Sequence, residues 1–403
     1  MIDHVGVGHD AVRRANLSRV LRRLHADGPA TRADLTVSSG LNRSTIGALV
    51  TDLASRQLVT EGEARATGAP GRPSPTVSVR TDRCVVLALD IGVDSIAAAT
   101  FVLGGSRRRL LRIDRPRGRT PIDTTVEDLG ALADDLLGDL TRRHRLLGIG
   151  VSVVGLVRTT DGLVHAAPNL GWQDAPLAGL LRARLRRRVP IQIANDADAG
   201  VLAERVRGAG RGVDDLVYVS GEVGVGGGVI VGGRPLRGTG GYAGEIGHMS
   251  VDAAGLPCVC GAVGCWETRI GESALLRLAG EPEDGGREAV DRVLAAADAG
   301  DEGALGALEE LGRWLSIGLG ALVNIFDPEL VILGRLHARL HPYVSHHAEE
   351  HLATRTLVGR RSAVRVVPAE LDDSCLVGAA ELAFEPILAD PTSVRPARVA
   401  VSA

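Results

Sequence analysis

The chain has 403 residues, 45% of them hydrophobic, which is enough for two or three domains with sizeable cores; aromatics are only 2%, so those cores rest on Ala, Val, Leu and Ile. All 46 basic residues are arginine, so any mechanism that needs a lysine is excluded, and residues 1–80 hold eleven of them against seven acidic residues while the remainder is net acidic. The chain opens without a signal-type apolar run and nowhere reaches the ~18 uninterrupted apolar residues of a membrane span, so the expectation is a soluble, cytoplasmic protein with no membrane partner.

A basic leading segment on an acidic body suggests a nucleic-acid-binding module. Val12, Ala15, Leu17, Val20, Leu21 and Leu24 recur at three- and four-residue intervals, which predicts a helix with one buried face. Asp27-Gly28-Pro29 ends it, and Thr31 and Asp34 have capping-box spacing for a short second helix. Ser38-Ser39-Gly40-Leu41 supplies a turn, and a third helix begins near Asn42 with Ile46, Leu49, Val50 and Leu53 as its core face. Short helix, glycine turn and a longer helix with polar early residues match a helix-turn-helix, although a plain three-helix bundle has the same periodicity. In the DNA-binding case Arg43, Ser44 and Thr45 meet base edges. Ala69-Pro70-Gly71-Arg72-Pro73 before a strand at Thr76–Val79 predicts a wing whose Arg72 enters a minor groove.

Cys84–Leu89 predicts a buried strand, turning through Asp90-Ile91-Gly92-Val93-Asp94-Ser95 into a second at Ile96–Leu103. A helix over Asp123–His144, a strand at Leu147–Val154, a loop at Asn169-Leu170-Gly171-Trp172 and a strand at Ile191–Ile193 follow. That last strand delivers Asn195-Asp196-Ala197-Asp198 to a helix start, where α/β folds place their chemistry; Asp196 is there either a general base or a helix cap. Glu222–Gly228 lies between two strands and either brings backbone N–H groups to an anion or only makes the hairpin.

Between Gly244 and Glu267 stand His248, Cys258, Cys260 and Cys265, three of the chain's five cysteines beside a histidine. Thiolates and an imidazole at this spacing fit a closed, tetrahedral Cys3His structural zinc site, against the plainer alternative of reduced thiols in a glycine-rich loop. Glu245 and Glu267 bracket the cluster without being needed as ligands.

In this order the motifs resemble the ROK family of repressors, open reading frames and kinases, and in particular its transcriptional repressors, the xylose repressors among them. The most specific marks are G-E-I-G-H at Gly244–His248 and C-x-C-G-x-x-G-C-x-E at Cys258–Glu267. The resemblance implies an α/β fold: an N-terminal winged helix-turn-helix (1–66, with wing and linker 67–83), then a two-lobed actin/hexokinase-like, ribonuclease H-like body with a structural zinc. Its small lobe takes 84–200 with the helix 374–388, its large lobe 201–373, and 389–403 is expected to be a disordered tail. It implies sugar-binding roles for Asn169, Asn195, Asp196, Glu245, His248 and Glu267. It also implies a DNA operator and a sugar or sugar derivative as partners, and a homodimer or homotetramer. The family's kinases use the Asp at the position of Asp196 as base, and this chain keeps it. Their phosphate motif D-I-G-G-T-K reads Asp90-Ile91-Gly92-Val93-Asp94-Ser95 here; G-T-G-x-G-G-G begins Glu222-Val223, and a late glycine pair reads Gly334-Arg335. Placing Asp94 and Glu222 against phosphate oxygens is unfavourable for phosphoryl transfer, so Asp196 is expected to be a vestigial base and the protein a regulator, not an enzyme; a sugar kinase carrying a DNA-binding domain is the alternative.

Overall fold

The architecture is that of a computed structural model and is described over residues 8–65, 74–361 and 363–396. Helix α1 (His9–Asp27) buries Leu17, Val20, Leu21 and Leu24 as their spacing requires. Val12 and Ala15, expected on that face, are exposed, because the first turns of α1 run beyond the elements that cover the rest. A two-residue strand, β1 (Ala30–Thr31), leads into α2 (Arg32–Ser39). Here the capping box is complete: the Thr31 hydroxyl accepts from the Asp34 N–H at 3.1 Å, and the Asp34 carboxylate accepts from the Thr31 N–H at 2.9 Å. Gly40 ends α2 in the left-handed region (φ 70), and Asn42 caps α3 (Arg43–Ser55) by accepting from the Thr45 N–H at 2.8 Å. Strands β2 (Val59–Arg65) and β3 (Ser74–Val79) pair antiparallel as a wing, with β1 on the far side of β3. Arg72 lies outside the described residues.

The small lobe is built on a five-stranded sheet. Strands β4 (Cys84–Ile91), β5 (Ser95–Val102) and β6 (Arg107–Asp114) form an antiparallel meander, while β7 (Arg145–Val153) lies parallel to β4. One face is covered by α4 (Ile122–Gly138) and α5 (Leu177–Leu185). A side sheet of β8 (Leu156–Arg158), β9 (Leu163–Ala167) and β10 (Trp172–Ala175) carries the Asn169 loop. Strand β11 (Ile191–Asn195) closes the main sheet in the order β11-β7-β4-β5-β6 and runs straight into α6 (Asp196–Arg207).

The large lobe follows, with β12 (Leu216–Gly221), β13 (Val225–Val231) and β14 (Arg234–Pro235), then α7 (Glu267–Ile270), α8 (Glu272–Leu278), α9 (Gly286–Asp298) and α10 (Glu302–Phe326). Strand β15 (Leu330–Arg335), α11 (Leu336–Arg355) and β16 (Arg365–Pro368) complete it, in the sheet order β14-β13-β12-β15-β16. Helix α12 (Ser374–Ala389) returns to the open face of the small-lobe sheet. It lies so close that a Cβ on Gly150 of β7 would collide with the Ala379 carbonyl.

Two features depart from the sequence reading. The described part of the segment expected to be disordered, up to 396, continues as a turn over Pro391–Ser393, and 397–403 lie outside the described residues. Arg56 Nη1 donates to the carbonyls of Thr392 and Val394 at 3.0 and 2.7 Å, and the apolar Val394 is buried in the core shared with α1, which holds the segment down. Moreover, the helix-turn-helix does not have a core of its own. Leu17, Leu21, Leu49 and Leu53 belong to one apolar cluster with Val86, Ala97, Leu376 and Phe384, so the three-helix unit is packed onto the back of the small lobe. No helix among the described residues is long and apolar enough to cross a membrane.

Candidate functional site

Between the lobes lies a cavity of about 120 Å³ lined by Asn169, Asn195, Asp196, Glu245, His248 and Glu267, so the six residues assigned to a sugar by resemblance converge on one space. They come from unconnected places. The Asn169 turn is anchored by Trp172, whose Nε1 donates to the Thr120 carbonyl at 2.7 Å. Asp196 is the first residue of α6, and Glu267 the first of α7. Glu267 is oriented from the glycine-rich hairpin, where the Val225 N–H donates to Oε2 at 2.9 Å. Gly224 leaves room for it, because a Cβ there would lie 2.8 Å from that oxygen and push the carboxylate aside.

Asn195 behaves differently from a free ligand. Its Oδ1 accepts from the Ala197 N–H at 2.8 Å and its Nδ2 donates to the Gly155 carbonyl at 2.9 Å, so its carboxamide caps α6 and ties it to the small lobe. The choice left open for Asp196 is thereby resolved on geometry: the cap is Asn195, and the Asp196 carboxylate is left to the cleft. Burial pushes Asp196 up to about 6; nearby Arg335 opposes the shift, and Asp90 and Glu222 add to it. Asp198 is pushed to about 7, and Glu245 is also raised, in both cases mainly by burial. Among the described residues the lining carries four carboxylates, those of Asp196, Glu222, Glu245 and Glu267, and no arginine.

His248 and Cys260 line this cavity, and together with Cys258 and Cys265 they form one cluster beside it. Cys258 Sγ lies 3.6 Å from His248 Nδ1, Cys260 Sγ lies 3.6 Å from Cys265 Sγ, and all four ligand atoms fall within 4.8 Å of one another. Tetrahedral zinc, with Zn–S of about 2.3 Å and Zn–N of about 2.0–2.1 Å, needs ligand atoms roughly 3.5–3.8 Å apart, so the donor set fits such an ion with little movement. The loop's own geometry brings the ligands together: Gly264 is left-handed (φ 74), and a Cβ there would collide with the Asp252 carbonyl. His248 turns Nδ1 to the sulfurs and Nε2 toward Glu245, 4.0 Å from its Oε2.

A larger cavity of about 590 Å³ opens on the other side of Glu222, lined by Asp90, Arg117, Glu272, Arg335 and Cys375 among others. Asp94 and Glu222, expected where phosphate oxygens would sit, are paired with arginines. Arg335 donates to Glu222, and its Nη2 reaches Cys375 Sγ at 3.0 Å. Arg117, in the loop after β6, donates to both oxygens of Glu272 at the start of α8 and lies 3.4 Å from Asp94. Arg335 sits where the family's kinases have a glycine and holds φ at 52, where a side chain costs about 1–3 kcal/mol; its half-buried pair with Glu222 holds the side chain in place. Neither Arg117 nor Arg335 was named as a site residue from the sequence. For Arg335 the signal was present, as an arginine in a glycine's place; Arg117 meets Glu272 only in the fold.

On the helix-turn-helix, Arg43 is exposed at the first position of α3. Ser44 is exposed too, but its hydroxyl donates to Asn42 Oδ1 at 2.7 Å, and Thr45 is half-buried beside the cap. Ala48 and Thr51 continue the open face at the spacing of one helix side, which the sequence reading did not use.

The architecture is thus a three-helix unit with a β-hairpin packed on a two-lobed α/β body, with a polar cleft between the lobes and a thiol–imidazole cluster beside it. The chain belongs to the ROK family, whose model matches residues 86–385. It is 30% identical over 366 residues to the xylose repressor of Bacillus subtilis, covering 89% of this chain and 92% of that one. It is 30% identical over 322 residues to a glucokinase of Streptomyces coelicolor, covering 75% of this chain and 98% of that one. In fold it is similar to a ROK family transcriptional regulator described as a homolog of the E. coli MLC protein, with a TM-score of 0.78, 24% identity, and coverage of 94% of this chain and 97% of the other.

Proposed function

We propose that this chain is a sugar-responsive transcriptional repressor of carbohydrate-utilisation genes, binding its operator as a homodimer or homotetramer. The observation that carries this reading is a contrast between two halves of one cleft. The half lined by Asn169, Asp196, Glu245, His248 and Glu267 offers paired acceptors and donors suited to vicinal hydroxyls, whereas the half that serves ATP in the kinases holds arginine–carboxylate pairs. A nucleotide would have to displace Glu222 and Glu272 from those guanidiniums.

Four carboxylates and no arginine around the smaller cavity favour an uncharged sugar over a sugar phosphate. Structural zinc held by His248, Cys258, Cys260 and Cys265 would order the loop that presents Glu245 and Glu267, and His248 would bind metal through Nδ1 while offering Nε2 to the cleft. On the DNA side, Arg43 reads base edges, with Ser44 and Thr45 beside it, and Arg72 lies in the minor groove from the wing. The match to the B. subtilis xylose repressor makes D-xylose the first probe. A thermal-shift panel of D-xylose, D-glucose and their phosphates, with selection of bound duplexes from a random library, tests the reading. Stabilisation by a free sugar and one enriched palindrome are expected; enrichment of no sequence would refute it.

The second reading is an ATP-dependent sugar kinase with Asp196 as base, favoured by its raised carboxyl, near 6, beside a cavity of about 590 Å³. Coupled ADP release over the same sugars decides it, and turnover lost in Asp196→Asn would establish the kinase.

A further inference from the structure

We propose that helix α6 carries the state of the cleft to the DNA-binding domain, and that a buried cluster of His25, Arg207 and Glu381 is the joint at which it does so. This rests on the sugar-responsive reading above. Helix α6 begins in the cleft, with Asn195 as its cap and Asp196 as its first residue. Twelve residues at 1.5 Å each place its last turn about 18 Å away. Arg207 stands there, its Nε donating to Glu381 Oε1 at 2.6 Å and its Nη1 to the Gly104 carbonyl at 2.9 Å.

His25, in the last turn of α1, completes the cluster from the DNA-binding side. Its Nδ1 accepts from the Gly104 N–H at 2.9 Å, and its Nε2 lies 2.9 Å from Glu381 Oε2 and 2.7 Å from Arg207 Nη2. The side chains of His25, Glu381 and Arg207 are 2%, 4% and 15% exposed. Between them lies the turn from β5 to β6. A Cβ on Gly105 would collide with the Arg207 guanidinium, and one on Gly104 would lie 3.0 Å from Val79 of the wing strand β3. One small-lobe turn thus touches α1, the wing and the end of α6 together.

The physical case for transmission is stiffness at both ends. Helices α6 and α12 meet backbone to backbone, since a Cβ on Gly378 would collide with the Ala199 carbonyl. Glu204 ties them again, accepting from Ser374 Oγ at 2.9 Å and from the Leu371 N–H at 3.1 Å. An apolar contact at the joint could slide with little cost. A buried carboxylate bonded on one oxygen to an arginine and on the other to a histidine cannot, because separating the partners leaves an unpaired charge away from water. A displacement of α6 driven from Asp196 therefore has to be followed by α1 and the wing base. His25, Arg207 and Glu381 are positioning residues in this scheme and touch neither sugar nor DNA.

The test uses the full chain, the duplex selected from the random library, and D-xylose, or D-glucose if only that sugar stabilises the wild type. Operator Kd is measured with and without saturating sugar, and sugar Kd is measured separately, for the wild type and for a double variant, Arg207→Gln with Glu381→Gln, that removes both charges, keeping the shape of the glutamate and shortening the arginine. The wild type should show an operator Kd ratio of about fivefold or more. In the double variant that ratio should fall to within about twofold of unity, with sugar Kd and sugar-free operator Kd each within about threefold of wild type. A variant that keeps the wild-type ratio overturns the proposal. Should the variant fail to melt cooperatively, hydrogen exchange on the wild type decides: added sugar should alter protection in 22–28, 103–106 and 203–208, and unchanged exchange there beside a changed operator Kd overturns it. A wild-type ratio of one with sugar bound would instead remove the sugar-sensing reading, and this inference with it.

Discussion

Replacing Asp196 by asparagine separates two effects of the same carboxylate. Its folded value near 6 lies above the ordinary 3.8, so between those two pH values the folded state holds a proton that the unfolded chain has released. Stability from this group is fully present below about pH 4 and is lost as pH rises through 6. A shift of about two pH units corresponds to about 3 kcal/mol, an upper figure because Arg335 and Glu222 readjust when the charge is removed; about 1–3 kcal/mol is the range to expect. Asparagine has no proton to lose. Asp196→Asn should therefore melt like wild type near pH 4 and above it, by a few degrees, near pH 8. The substitution should also weaken the stabilising sugar's binding by about 10- to 100-fold, the loss of a hydrogen bond to a charged acceptor. Thermal melts from pH 4 to 8, with and without sugar, read both effects. A melting difference that stays constant across that range would show that the carboxyl is not held protonated by its surroundings.

Metal analysis should find about one zinc per chain, lost in Cys258→Ser with Cys265→Ser, and chelation should abolish the sugar-induced thermal shift before it abolishes DNA binding; equal loss of both would place the metal in the fold's general stability. Arg43→Ala should relax sequence preference at one operator position at a cost of about 1–3 kcal/mol, and Arg72→Ala should weaken binding to all sequences and lower the salt slope by about one. Wild-type behaviour in both by mobility shift would remove the recognition-helix and wing assignments. Coupled assays with D-xylose or D-glucose and ATP should show no ADP release above background, because Arg335 and Arg117 hold Glu222 and Glu272 in the nucleotide half of the cleft.

Much of this was legible in the sequence where chemistry is local. The capping box at Thr31 and Asp34, the core face of α3, and the cysteine cluster depend on neighbours within a few residues, and the structure assembles each. The strand β6 was not legible: Arg107–Asp114 is an edge strand exposed at both ends, its arginines meeting Asp135, Asp139 and Asp373 from other elements, so no alternation marks it. The small sheet beneath Asn169 is likewise made of strands of three to five residues, too short to show a period. Asn195 looked like a ligand by its place in Asn195-Asp196, and only the geometry shows it to be the cap. The arginine–carboxylate pairs of the nucleotide half join residues as far apart as Glu222 and Arg335, and the joint at Glu381 reaches back to His25. Such pairings leave no local pattern to read.

The most direct test of sugar-controlled DNA binding is an anisotropy titration of the selected operator duplex by the wild type and by Glu245→Gln with Glu267→Gln, each with and without saturating free sugar. The expected result is a sugar-dependent change in operator Kd of about fivefold or more in the wild type, and none in the cleft variant, whose sugar-free operator Kd stays as in the wild type. A wild type that binds the sugar in its cleft while its operator Kd stays fixed would contradict it.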